Sequence, residues 1–230
     1  MTQNSFISRL LRFIGILLMA LTAGFTLLGG IGTSCAALFP TRWDSMTPLA
    51  PFQWLYILFV LAGVALGVLG IRATVVLIKG TSRSYRDALL VLVTGVVIGV
   101  VHIAVSRALR GKSMPVDAVV YTNILTLVIF LLLRIFAIWQ GVDFARGDTA
   151  SNRPAGGAAA IMLGLLTLTI QVWMRSTHTW DGVNYAAAFN AWMTAMGLAC
   201  LFLGAGLLLR PDRLFARLVT HLPYLKPSKI

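Results

Sequence analysis

The chain has 230 residues, of which 58% are hydrophobic and 11% charged, against roughly 45–50% apolar and about 25% charged in an average soluble domain. This excludes a soluble one- or two-domain enzyme and a disordered or collagen-like chain, and leaves a polytopic membrane protein. Nineteen Lys and Arg face seven acids, all aspartate, for a net charge of +12; the cations lie mostly between apolar runs and at the C-terminus, which suits anionic lipid headgroups and argues against nucleic acid.

A helix needs about 20 apolar residues to cross the hydrocarbon core. In chain order, such spans are predicted near 13–38, 54–78, 88–106, 118–140, 157–174 and 186–209. The first begins with a basic segment, Arg9 and Arg12, and runs into Gly32-Thr33-Ser34-Cys35. That tetrad is similar to a lipobox, but Gly32 stands where an aliphatic residue is required, and the apolar stretch exceeds the 7–15 residues of a secretory h-region. It reads as an uncleaved signal-anchor helix. Pro40, Pro48, Pro51, Pro115 and Asn152-Arg153-Pro154 punctuate the connections, and Trp43, Trp54, Trp139, Trp173 and Trp180 fall at predicted span ends as an aromatic belt.

Orientation follows from Lys and Arg. With the N-terminus inside, the inner segments hold twelve (Arg9, Arg12; Lys79, Arg83, Arg86; Arg146, Arg153; Arg210, Arg213, Arg217, Lys226, Lys229) and the outer loops five (Arg42; Arg107, Arg110, Lys112; Arg175). Both termini are therefore expected in the cytoplasm. The expected fold is all-α: a six-helix transmembrane domain over 1–209, then a basic cytoplasmic tail over 210–230 lying on the inner membrane surface. Cys35 and Cys200 are expected at different depths and hence unbridged.

Small residues recur at helical spacing. Gly63, Gly67, Gly70 and Thr74 share one face of the second span, and Gly95, Gly99, His102 and Ser106 one face of the third. Such stripes let backbones approach closely, which matters in lipid because apolar burial drives little association there. A short connection should make these two spans an antiparallel pair. His102 is an intramembrane ionisable residue and thus a candidate site.

Arg72 and Arg134 lie six to seven residues before the inner ends of their spans. They either snorkel to lipid phosphate or line an inward-facing anion pocket. Residues 106–123 place Arg107, Arg110 and Lys112 outside, against the charge rule, as an interfacial anchor or an anion or headgroup contact. Asp117 is expected to cap the next helix. His178 and Asp181 in the following outer loop could approach His102, but ligand spacing alone specifies no metal.

No motif for nucleophilic, metal-dependent or nucleotide chemistry occurs, and no acid lies deep in a span. No cofactor or metal is expected. The resulting expectation is a non-catalytic accessory or scaffold subunit of a membrane assembly, in contact with anionic lipid and with a membrane-protein partner or a second copy of itself, in a bacterial-type inner membrane. The alternatives are a small carrier or channel for an anionic or amphipathic solute, and a lipid-headgroup enzyme using His102 or His178 as base.

Overall fold

The computed structural model describes residues 6–113, 115–145, 152–173, 175, 179–180, 182–184, 187 and 189–209. His178, Asp181, Arg146 and the tail 210–230 lie outside them. The described chain is nearly all helical: α1 (Phe6–Gly32), α2 (Ser34–Leu38), α3 (Gln53–Lys79), α4 (Ser84–Arg110), α5 (Val116–Leu133), α6 (Phe136–Val142), α7 (Asn152–Leu168), α8 (Ile170–Trp173) and α9 (Asn190–Leu209). Two 3-10 turns, Pro40–Arg42 and Asp44–Phe52, bridge α2 and α3, and a two-residue hairpin pairs Thr179–Trp180 with Val183–Asn184.

Among the described residues, five helical stretches are long and apolar enough to cross a membrane: Phe6–Leu38, Asp44–Lys79, Ser84–Arg110, Val116–Leu133 and Asn190–Leu209. The chain is a helical membrane protein. α1 starts at Phe6 rather than 13, α4 runs four residues beyond 88–106 at each end, and α9 starts at Asn190 rather than 186; the fourth and fifth spans differ more. The expected fifth span, 157–174, is instead α7 of 17 residues starting at Asn152, with a break at Thr169 before α8. Seventeen residues rise ~26 Å, at the lower limit for a ~30 Å core, and α8 continues the run to Trp173. Thr167 in its last turn and Thr169 at the break donate their hydroxyls back to Leu163 O and Leu165 O, a competition that weakens helix continuation.

The expected fourth span, 118–140, stops at Leu133. Ile135 is extended (ψ 129°) and α6 turns beneath the bundle. No Gly or Pro marks this break. At the break the guanidinium of Arg134 lies 4.4 Å from the Trp139 ring centroid and 5.6 Å from that of Tyr85, a contact that accompanies the turn into α6. Beyond it, Val142 and Phe144 reach fully buried positions.

α1, α3, α4 and α5 form a ring of antiparallel neighbours closed by the contact of α1 with α5. We call the end carrying Phe6, Lys79, Ser84 and Leu133 proximal, and that carrying Gly32, Gln53, Arg110 and Val116 distal. Ile16, Met19, Ala73, Leu77, Leu92 and Phe130 fill the proximal half of the ring. α7 packs outside on α1 and α3, and α9 packs chiefly on α7.

Candidate functional site

The two glycine faces of α3 and α4 do not meet each other. Gly63, Gly67 and Gly70 face α1: a methyl on Gly63 would come within 2.9 Å of Gly30 Cα, on Gly67 within 2.6 Å of Leu27 Cα, and on Gly70 within 2.8 Å of Ala23 Cβ. Gly95 and Gly99 face α5, against Asn123 and Val120. α3 and α4 are antiparallel neighbours, as their short connection requires. Their contact runs instead through Tyr56, whose hydroxyl is 2.8 Å from Ser106 Oγ, and through Phe59, whose ring stacks on His102 at 4.2 Å.

Where the four helices meet, Gly63, Gly95 and Gly99, with Gly29 and Gly30 of α1, leave a cavity of about 50 Å³. Its distal rim is set by Thr33, Val116, Phe59 and His102, and its inner end by Thr26, Leu66, Gly95 and Asn123. The seven residues from Thr26 to Thr33 correspond to ~10 Å along the axis. His102 is 7% exposed, with its ring stacked on Phe59 and edge-on to Tyr56 at 5.5 Å. Asn123 is 4% exposed, and its Oδ1 has no hydrogen-bond partner. One turn further in, the Thr22 and Thr126 hydroxyls meet at 2.7 Å. Below that pair lies an apolar layer around Met19 and Phe130, and beneath it Ser8, Arg12 and Ser84 are buried near the proximal end, with Arg12 over the Phe144 ring.

The basic residues occupy three separate places. Arg107 Nη2 is 3.1 Å from Asp117 Oδ1, its Nε donates to Ser113 Oγ at 2.9 Å, and Ser113 donates to the Asp117 carboxylate. Asp117 is thus an ion-pair partner in the first turn of α5, and its side chain turns back to Ser113 rather than capping backbone N–H groups. Arg110 and Lys112 are neighbours at the same end, joined by Arg110 Nε donating to Lys112 O. Arg72 is exposed on α3, away from the α1 seam, and Arg134 is stacked as described. Neither Arg72 nor Arg134 lines the cavity.

A second seam joins α7 to α9. Gly157 faces Gly204, and Gly164 faces Gly197; methyls on Gly204 and Gly164 would lie 2.7 and 2.8 Å from the opposed carbonyl oxygens. The signal was the matching seven-residue interval in two apolar runs. Asn123 also went unnoticed, although an amide amid the apolar run 116–133 is costly in lipid and marks itself.

Comparison of the chain with protein-family models, curated proteins and solved structures finds no match.

Proposed function

We propose that this chain is a non-catalytic accessory or scaffold subunit of a larger assembly in a bacterial-type cytoplasmic membrane. Its six helices would cross with the proximal end and both termini inside, where twelve of the seventeen loop and tail cations fall by sequence. The observation that carries the reading is the outer face of α9. Ala191, Ala195, Ala199 and Gly206 form a small-residue stripe roughly opposite Gly197 and Gly204. All four are exposed, flanked by Trp192 (72% exposed) and Phe202 (75%). Lipid covers large apolar side chains as well as protein does. A stripe of small residues instead favours a closely approaching helix, and the partner that fits is a transmembrane helix of another subunit.

The anion-carrier reading draws less support, since Arg107 is neutralised by Asp117 and Arg72 lies apart from Arg134. The test is extraction of native membranes into lipid nanodiscs followed by mass determination. The wild-type chain should run in a discrete complex larger than its own 24.9 kDa, and Ala195→Leu should release it folded. A wild-type particle containing one copy of this chain alone would refute the reading.

A further inference from the structure

We propose that Arg134 holds an anionic phospholipid of the proximal leaflet by its phosphate, with the guanidinium pre-set for that contact by Trp139 and Tyr85. The arrangement starts from the break after Leu133. Arg134 N–H bonds to Leu131 O at 3.1 Å, which leaves the Phe130 carbonyl without its usual helical donor. The Tyr85 hydroxyl donates to that carbonyl at 2.9 Å and so fixes the first turn of α4 against the last turn of α5. Trp139, brought back by α6, meets the Tyr85 ring edge-on at 4.8 Å. The Arg134 guanidinium lies against both rings, an attraction that restricts a side chain otherwise rich in rotamers.

What remains open on Arg134 defines the ligand. The residue is exposed, and among the described residues no carboxylate or carbonyl is bonded to its guanidinium. A planar fork of N–H donors suits a phosphate, which it can bind through two parallel hydrogen bonds. Arg134 follows directly on the spanning stretch Val116–Leu133, whose ~27 Å rise sets it at the edge of the hydrocarbon core, where lipid phosphates begin. Leu131 and Ile135 beside it are each 52% exposed. A lipid covers such apolar surface with its chains, whereas a free ion leaves it bare. Lys79, Arg83 and Arg86 are exposed at the same end, where Asp87 and Asp143 are the acids among the described residues. That balance favours an anionic lipid over a zwitterionic one. This inference stands apart from the subunit reading, because α9 takes no part in the site.

The full chain, labelled with 15N on arginine side chains, would be placed in phosphatidylcholine nanodiscs with rising fractions of phosphatidylglycerol. Inorganic phosphate added to pure phosphatidylcholine discs forms the second arm. The Arg134 Nε–H signal, assigned by its loss in Arg134→Gln, should shift saturably with the phosphatidylglycerol fraction. The Arg72 signal, assigned in the same way from Arg72→Gln, should shift in proportion to that fraction without saturating. Arg72 is exposed and has no ring or acid against it among the described residues, so it samples the bulk lipid. Trp139→Leu should raise the Arg134 midpoint about threefold, and Trp139→Phe, which keeps an aromatic face, should restore it to within about twofold. A proportional response of Arg134 like that of Arg72, or an unchanged midpoint in Trp139→Leu, overturns the proposal. Saturation by inorganic phosphate in phosphatidylcholine discs overturns it too, since the ligand would then be a soluble ion.

Discussion

Asn152 ties two helices together with one side chain. It is fully buried, and its Nδ2 donates to Leu77 O at 3.3 Å and Ile78 O at 3.1 Å, carbonyls of the last turn of α3 that lack intrahelical partners. Asn152→Ala should lower unfolding free energy by about 1–3 kcal/mol, read from melting in detergent; an unchanged midpoint would show that water replaces the amide. The Arg107–Asp117 pair should contribute less, because Arg107 is more than half exposed. A double-mutant cycle with Arg107→Met and Asp117→Asn should return a coupling of about 0.5–1 kcal/mol that fades with salt. At this scale the sequence revealed Arg72, Arg134 and His102 as polar residues in apolar runs. It did not reveal their partners, since Arg134 stacks on Trp139 across a break and Arg107 bonds to a serine six residues away.

The helices themselves were legible because hydropathy alone marks an element solvated by lipid. The small-residue stripes were legible for the same reason, as periodicity within one helix. Which helix each stripe faces was not, because sequence adjacency favoured α3 against α4, whereas close packing paired α3 with α1 and α4 with α5. The break after Leu133 carried no Gly or Pro to announce it. Two predictions test the seams. Gly67→Leu, where a side chain meets the α1 backbone, should lower the melting temperature substantially, and a wild-type melt would remove the α1–α3 seam from the account. Gly164→Leu should loosen α9 from α7 and lower the melting temperature, whereas Gly206→Leu, which meets nothing within 4 Å, should leave the isolated chain as stable as wild type.

Taken whole, the molecule is asymmetric in two ways. Along its axis the ring has a polar distal half, running from Tyr56–Ser106 through His102 and Asn123 to Thr22–Thr126, above an apolar layer around Met19 and Phe130 that separates it from the buried Arg12 and Ser84 at the proximal end. Across the membrane plane, a four-helix ring carries α7 and α9 as an arm whose last helix is glycine-packed on one side and open on the other. Neither property could be read from single spans, because both depend on which faces meet. The central claim is that the open small-residue face of α9 is held by another membrane helix, and photocross-linking in intact membranes tests it most directly. A benzoylphenylalanine at position 199 should give a discrete adduct heavier than the chain, while the same group at position 97, exposed on α4, should give none. Equal labelling at both positions, or no protein adduct at 199, would contradict it.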